Sequence, residues 1–300
     1  MPAPLRPPLA PARTPFQRAL LSWWDANRRD LPWRATRDPW AVLVSELMLQ
    51  QTQVARVVPK FQAFLAMFPT PGDCAGAPVG DVVRMWQGLG YNRRAVNLHR
   101  AAQACVAHHG GQLPATLQEL LDLPGVGPYT ARAVLAFAHE RDVGVVDTNV
   151  ARVLSRIRDA RLASPGEAQA VADAHVPAGA GWSWNQALFD LGATVCVKRS
   201  PACGRCPVEA GCGWARRGRP SPDPADGSAG ASRPQPPLAG SDREGRGRLV
   251  DALRRGPVAA GDEARAAGWP ADPARASRIA GGLVADGLAV RAGDGSLRLP

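Results

Sequence analysis

Glu46 is the first residue of this chain whose type and position could support chemistry. It lies within WAVLVSELMLQQTQV, where residues 40–44 and 47–49 are apolar almost all round, and the pattern predicts a buried helix with Asp38 as its N-cap. A buried carboxylate is costly unless it is paired or neutral, and desolvation raises its pKa toward the range in which it can donate a proton near neutral pH. The alternative is a structural glutamate bonded to an arginine or to the backbone.

A second carboxylate, Asp147, closes the apolar run at residues 143–146. Val150, Val153 and Leu154 mark an amphipathic helix directly after it. An aspartate in front of a helix commonly serves as an N-cap, so a structural role and a chemical role both stay open for Asp147.

Four of the six cysteines form the pattern C-x6-C-x2-C-x5-C within 17 residues: Cys196, Cys203, Cys206 and Cys212. Clustered thiols in a cytosolic chain indicate a metal site more than disulfides. Structural zinc prefers two close pairs, whereas only one C-x2-C occurs here, and the outer spacings suit a chain that wraps a larger iron–sulfur cluster. The other two, Cys74 and Cys105, are in helical context and are expected in the core.

The stretch LLDLPGVGPYTA predicts two helices joined by the turn Gly125-Val126-Gly127. Thr116 and Glu119 read as a capping box for the first helix, and Pro124 and Gly125 end it. Glycines at a helix N-terminus let backbone N–H groups approach an anion, which the helix dipole also favours. The pattern therefore predicts a helix–hairpin–helix that holds a phosphate, and the alternative is an ordinary tight corner between helices.

Three further places could contact a nucleic acid. Tyr91 follows a glycine-rich turn and precedes Arg93 and Arg94, a pattern typical of a stacking group beside phosphate-binding charges. The proline of DLPWR favours a turn that presents Trp33 and Arg34, and the amides of QQT (residues 50–52) suit base or sugar contacts. The alternatives are a tyrosine that packs the turn, a core tryptophan and a solvated helix end.

Composition favours an acidic partner, with nucleic acid first. The 300 residues carry a net charge of +10, and only Lys60 and Lys198 of the 36 basic residues are lysines. The alternative is a composition bias of GC-rich coding. We expect a cytoplasmic protein, since no apolar run approaches the length of a membrane span and the N-terminus has no signal-peptide core.

Four segments are expected along the chain. Residues 1–14 are proline-rich and predict a disordered tail, and residues 15–215 hold the helices and the cysteine loop. Residues 216–243 are rich in Pro, Gly, Ser and Asp and predict a linker. Residues 244–300 predict helices followed by a β-hairpin, which is a small winged-helix-like α+β domain.

Together these motifs resemble the MutY family of adenine DNA glycosylases, within the superfamily that also contains endonuclease III. The resemblance covers about residues 16–216 and rests on the order and spacing of LPWR (31–34), SELMLQQTQV (45–54), GLGY (88–91), LPGVGPYTA (123–131), VVDTNV (145–150), FDLGA (189–193) and the four-cysteine loop. It implies an all-α, two-lobed helix–hairpin–helix glycosylase fold with the active site between the lobes, and a [4Fe-4S] cluster on the four cysteines.

The resemblance also implies roles for single residues. Glu46 and Asp147 would be catalytic, assisted by Tyr129 and Asn149, and Tyr91 would be an intercalating wedge. The remaining DNA-binding or substrate-binding positions would be Trp33, Arg34, Gln50, Gln51, Thr52, Gly125, Val126, Gly127 and Gln186. The implied partner is double-stranded DNA with adenine opposite 8-oxoguanine or guanine. We expect a monomer associated with the nucleoid.

Two departures from the family narrow the expected activity. Bifunctional relatives carry a Schiff-base lysine where this chain has Tyr129, so we expect a monofunctional enzyme that releases the base without cutting the strand. Residues 216–300 do not resemble the Nudix-like domain with which the family senses 8-oxoguanine. The alternatives are a thymine glycosylase for T·G mismatches and a noncatalytic Fe–S protein that binds DNA or senses redox state.

Overall fold

The computed structural model describes residues 14–229 and 236–300, and helices dominate these residues. The first helices in chain order are α1 (Pro15–Asn27), α2 (Pro39–Leu49), α3 (Val54–Met67), α4 (Pro71–Gly76), α5 (Val79–Met85), α6 (Arg93–His108) and α7 (Leu117–Asp122). The helices that follow are α8 (Pro128–Phe137), α9 (Thr148–Arg158), α10 (Pro165–His175), α11 (Gly181–Thr194), α12 (Gly213–Arg216), α13 (Asp242–Arg255), α14 (Glu263–Ala267) and α15 (Pro273–Ala285). One antiparallel pair, β1 (Val290–Arg291) and β2 (Leu297–Arg298), closes the chain.

The described residues divide into two units. Unit 1 contains residues 14–42, 115–117 and 127–229, and unit 2 contains residues 43–114, 118–126 and 236–300. Glu46 therefore belongs to unit 2, and Asp147 and the four-cysteine loop belong to unit 1. Within the described ranges, no helix combines the length and the apolar character needed to cross a membrane.

Unit 1 is built around α11, which packs against α1, α8 and α9. The Asp190 carboxylate of α11 is 1% exposed and accepts hydrogen bonds from the Trp24 indole (3.0 Å), from Arg29 Nε (2.6 Å) and from both terminal nitrogens of Arg34 (2.8 and 2.9 Å). Burial raises the pKa of Asp190, but the bonds and charges of Arg34 and Arg29 hold it below its ordinary value. The buried charge in the middle of the unit is thus fully paired.

Unit 2 contains the helices α3 to α6 and the C-terminal residues 236–300. Helix α6 packs against α4 and α5, and α13 packs against α14, α15 and α5. The backbone N–H of Gly80 donates to the carbonyl of Pro300 at 3.0 Å, and a side chain at Gly80 would collide with that oxygen. The end of the chain is therefore held on α5.

The predicted helix–hairpin–helix is present. Helix α7 ends at Asp122, the N–H of Val126 donates to the carbonyl of Leu123 (3.1 Å), and α8 begins at Pro128 with Gly127 as its N-cap. Gly125 has φ +80°, and a Cβ there would lie 2.6 Å from the Cβ of Asn97, so this position requires glycine for two separate reasons.

Segment ends differ from the expectation in two places. Thr14, assigned to the tail, is the N-cap of α1 in a capping box with Gln17; residues 1–13 lie outside the described residues. The first part of the expected linker packs on unit 1, where Asp223 pairs with Arg156 and the buried Ser228 bonds Ser155. Residues 230–235 of the linker also lie outside the described residues.

The C-terminal module, residues 241–300, contains more structure than its sequence pattern predicted. It begins with Ser241 as the N-cap of α13 and adds the short helix α14 between the two expected helices. A further bridge pairs Val258 with Leu297 of β2. The predicted hairpin is present, with Val290 opposite Arg298.

Substitution Asp190→Asn should lower the free energy of unfolding by about 3 kcal/mol, because it leaves the Arg34 guanidinium buried without a counter-charge. The folded pKa of Asp190 lies below its unfolded value, so the stability from this carboxylate is present at neutral pH and is lost as the pH falls through the folded pKa. Urea unfolding measures the difference. The matched control is Asp81→Asn, whose partner Arg84 is 52% exposed, with an expected effect of under about 1 kcal/mol. Equal effects of the two substitutions would show that the buried Asp190 pairs stabilise the protein no more than a surface ion pair does.

Candidate functional site

Glu46 lies in the interior of α2. Asp38 caps this helix as predicted, accepting from the N–H of Trp40 at 3.0 Å, and Pro39 is its first residue. Every residue from 41 to 48 is buried, and Glu46 itself is 5% exposed. Its Oε2 atom is buried and has no hydrogen-bond partner, while the side chain makes other interactions within the described residues. The predicted buried helix around Glu46 is confirmed.

The buried guanidinium of Arg94 donates hydrogen bonds both to the end of α2 and to the loop that carries Tyr91. Its NH1 donates to the carbonyls of Leu47 (2.5 Å), Met48 (3.1 Å) and Gln50 (2.7 Å). Its NH2 donates to Thr52 Oγ1 (3.2 Å), Leu89 O (3.0 Å) and Gly90 O (2.9 Å). The prediction that Arg94 binds phosphate was wrong, because all of these donors are used inside the protein. Burial lowers the pKa of Arg94 to about 10, so the group is still cationic at neutral pH.

Arg94 holds two residues in a backbone conformation that side chains rarely adopt. Gln51 has φ +54° and Tyr91 has φ +47°, and each costs roughly 1–3 kcal/mol unless the surrounding structure imposes it. Tyr91 is 44% exposed, and Gln51 is also exposed. The two side chains are therefore presented to solvent on fixed backbone.

A groove of about 880 Å³ opens beside these loops within unit 2. It is lined by Gln50 and Gln51, by residues 88–94, and by α13 of the C-terminal module. Seven arginines and two carboxylates line it, so its charge is strongly positive. The predicted neighbours Gln50, Gln51 and Tyr91 thus share one basic groove.

In unit 1, Asp147 is the N-cap of α9. Its Oδ1 accepts from the N–H groups of Asn149 (2.9 Å) and Val150 (2.7 Å), and its Oδ2 accepts from Asn149 Nδ2 (2.9 Å). Arg152 in turn donates to Asn149 Oδ1 at 2.8 Å. Burial raises the pKa of Asp147, and the bonds from Val150 and Asn149 and the charge of Arg152 oppose that rise. The capping role is confirmed, and the carboxylate remains only half-buried.

Most of the other site residues predicted in unit 1 are buried or half-buried. Trp33 is buried, which agrees with the alternative that it is a core residue. The terminal nitrogens of Arg34 donate to the Asp190 carboxylate and to the carbonyl of Arg29. Gln186 is buried in α11, and Tyr129 is half-buried in the first turn of α8. At Gly127 a Cβ would meet nothing within 4 Å, so an approaching ligand has open space there.

The four cysteines of the loop line one small cavity of about 20 Å³, together with apolar residues such as Val153, Leu191 and Trp214. Arg156 NH1 lies 3.3 Å from Cys196 Sγ, and Arg156 O accepts from Cys212 Sγ at 3.3 Å. Burial raises the pKa of Cys206 to about 11. In the described part of the chain, no three His, Cys, Asp or Glu side chains converge closely enough to bind a single metal ion. Cys74 and Cys105 are buried, as expected.

Sequence reasoning missed Asp190 and misjudged Arg94. The signal for Asp190 was available, because it is a carboxylate in the largely apolar helix WSWNQALFDLGA, which is the same signal that singled out Glu46. No comparable signal marks Arg94. It stands beside Arg93, which is 64% exposed, and only the fold distinguishes the two.

Comparison of the sequence with known proteins finds one family that it matches. Residues 44–176 match the family model described as HhH-GPD superfamily base excision DNA repair protein. The adenine DNA glycosylase of Mycolicibacterium smegmatis is 40% identical over 284 residues, covering 93% of this chain and 94% of that protein. The human adenine DNA glycosylase is 44% identical over 217 residues, covering 66% of this chain and 39% of that protein.

A solved structure gives the same fold. It is described as a thermostable thymine-DNA glycosylase and is similar with a TM-score of 0.62 and 29% identity, over 67% of this chain and 94% of that one. The helical glycosylase fold thus extends over about two thirds of the chain.

Substitution Asp147→Asn should raise the free energy of unfolding at mildly alkaline pH, because it removes a charge that burial disfavours and keeps an acceptor oxygen for the cap. A carboxyl with a raised folded pKa binds its proton more tightly in the folded state, so its contribution to stability is greatest below the unfolded pKa and falls as the pH rises through the folded pKa. Urea unfolding should show a gain that shrinks as the pH is lowered. A loss of stability at mildly alkaline pH would show that the hydrogen bonds outweigh burial.

Proposed function

The chain belongs to the adenine DNA glycosylases of the HhH-GPD superfamily, and we propose that it removes adenine paired with 8-oxoguanine or guanine by using Glu46 and Asp147. Such an enzyme hydrolyses the bond between the base and the sugar in base excision repair. The observation that carries the proposal is a carboxyl group buried in an apolar helix whose end is fixed beside a basic groove.

Glu46 is the proton donor in this mechanism. Adenine is a poor leaving group until one of its ring nitrogens is protonated, and general acid catalysis contributes about 10²–10⁴-fold. The apolar surroundings of Glu46 favour the protonated carboxyl that this step needs. After the base has left, the resulting carboxylate accepts a proton from the water that attacks the sugar.

Asp147 acts on the sugar. Loss of the base leaves an oxocarbenium-like sugar, which an ionised carboxylate stabilises or attacks as in retaining glycosidases. Three donors from Asn149 and Val150 and the nearby charge of Arg152 favour the ionised form that this role requires. Asn149 thereby orients Asp147, and Tyr129 is assigned to the same site by the resemblance.

DNA is bound on the basic groove and at the hairpin. The exposed Tyr91 on its fixed loop suits a wedge that fills the gap left by the extruded base, which offsets part of the few kcal/mol that extrusion costs. Gln50 and Gln51 line the groove beside that position and offer amide groups to the opposed base. The Thr52 hydroxyl, also expected at the DNA, instead accepts from Arg94 and donates to the Leu89 carbonyl. The open space at Gly127 suits a phosphate at the start of α8.

The expected product is an intact strand with an abasic site. β-Elimination by a glycosylase normally needs an amine that forms an imine with the sugar, and the lysine of bifunctional relatives is Tyr129 here. The thymine glycosylase alternative is kept because the solved structure of a thymine-DNA glycosylase shares the fold at 29% identity.

Cys196, Cys203, Cys206 and Cys212 are the proposed ligands of a [4Fe-4S] cluster. A cubane cluster takes each thiolate at a different iron, so its ligands surround a volume rather than a point, and these four thiols line one cavity. Arg152 and Arg156 place positive charge beside Cys196, which offsets the charge of the thiolates. Such a cluster, when bound, cross-links the loop and can exchange an electron.

The C-terminal module is proposed as a winged-helix-like DNA contact. Its order of helix, bridge, two helices and hairpin supports this proposal. Arg243, Arg246 and Arg248 of α13 line the same groove as Tyr91, so the module adds positive charge where DNA would lie. We propose that the enzyme works as a monomer on DNA in the nucleoid.

Substitution Glu46→Gln should reduce the single-turnover rate of adenine release by about 10²–10⁴-fold, because it keeps the shape of the side chain and removes the proton donor. Binding to a mismatched duplex should persist. The matched control is Glu140→Gln, where the glutamate is 51% exposed and pairs with Arg37, and its rate should be unchanged. A Glu46→Gln rate within a few-fold of the unsubstituted protein would exclude Glu46 as the acid.

Protein purified without air should be yellow-brown and contain about four irons per chain. Cys206→Ser should lower the iron content and the visible absorption, while Cys105→Ala should leave both unchanged because Cys105 lies in the core of unit 2. Iron analysis with an absorption spectrum is the measurement. Colourless, fully active protein with one zinc per chain would rule out the cluster.

A further inference from the structure

Arg254, near the end of α13 in the C-terminal module, reaches the loop that carries Tyr91. Its side chain is 6% exposed and is steadied by Asp251. Its Nε and NH2 donate to the carbonyl of Val83 at 3.1 and 3.0 Å, and NH2 also donates to Asn92 Oδ1 at 2.8 Å. Val83 lies in the last turn of α5, where carbonyls lack partners within the helix. One guanidinium therefore joins the module to α5 and to the residue that follows Tyr91.

The side chain of Asn92 does not cap the helix that it precedes. It is the N-cap of α6, a position where asparagine usually accepts a bond from the backbone of the first turn, yet its side chain makes no such bond. The oxygen is given to Arg254 instead. The capping bond is forgone in favour of a contact with the C-terminal module.

The contact lies next to a strained residue. Tyr91 has a left-handed backbone, and its carbonyl accepts from the N–H of Arg94 at 2.9 Å. Arg94 fixes the loop on the side of α2, and Arg254 fixes it on the side of Asn92. Strain of this kind persists only while the surroundings impose it.

We propose that Arg254 is a positioning residue for Tyr91, so that the C-terminal module takes part in base extrusion by holding the wedge loop. The inference rests on the proposed role of Tyr91. Loss of the Arg254–Asn92 bond lets the loop leave its strained conformation, and the wedge then fills the gap less often. The chemistry on an adenine that is already extruded does not depend on the bond.

The test uses the full-length protein in a double-mutant cycle. Arg254→Ala and Asn92→Ala are each combined with Tyr91→Ala, and adenine release from an A·G duplex is measured in single turnover. Asn92→Ala breaks the same bond without removing the guanidinium from its buried position, so it serves even if Arg254→Ala fails to fold. Arg255→Ala is the matched control, because Arg255 is the next residue of α13, is exposed and lies outside the groove.

Arg254→Ala and Asn92→Ala should each slow adenine release about tenfold, which corresponds to the loss of one hydrogen bond to a charged group. Neither should slow release further once Tyr91 is alanine. Fluorescence of 2-aminopurine at the adenine position should show a matching fall in extrusion, and Arg255→Ala should leave both measurements unchanged.

Two results would overturn the inference and are distinguishable from each other. In the first result, Tyr91→Ala slows adenine release but Arg254→Ala and Asn92→Ala do not, or their effects on the rate multiply with the effect of Tyr91→Ala. Arg254 then does not act through Tyr91, and the proposed function stands. If Tyr91→Ala leaves release unchanged, the wedge role fails as well.

Discussion

The buried guanidinium of Arg94 is the interaction on which the loops beside the basic groove of unit 2 depend. The last carbonyls of a helix have no partner within it, and those at the end of α2 need partners from elsewhere in the protein or from water. Arg94 satisfies those of Leu47 and Met48, and the same planar fork binds Gln50 and the loop at residues 89–90. Arg94 therefore fixes the backbone segments that carry Glu46, Gln51 and Tyr91 relative to one another. A lysine could not replace this fork, because it has three donors on a single nitrogen.

Buried carboxylates in this chain are used in two ways. Asp190 is surrounded by Trp24, Arg29 and Arg34, which hold it ionised, and its role is to secure unit 1. Glu46 lies among apolar residues of α2, and its proposed role is that of a proton donor. Asp147 combines both uses, since its capping bonds order α9 and also favour the charged state that its proposed chemistry needs.

The parts of the site that follow a local pattern could be predicted from the sequence. The cap at Asp38, the buried face around Glu46 and the glycines of the hairpin each depend on residues close in the chain. Arg94 could not be predicted, because its partners at and just after the end of α2 are 42 to 47 residues away and its neighbour Arg93 has the same local pattern. Arg34 was expected at the DNA and instead pairs with Asp190, 156 residues away. The contact of Arg254 with Asn92 spans 162 residues and depends on how the C-terminal module docks within unit 2.

The proposed activity of this chain is release of adenine from mispairs with guanine or 8-oxoguanine. Time courses of free base released from A·8-oxoguanine, A·G and T·G duplexes, with Glu46→Gln as the blank, test it most directly. Adenine should be released from the first two duplexes, and no thymine should be released from the third. Thymine release at a comparable rate, or no release from any duplex by protein that still binds DNA, would contradict it.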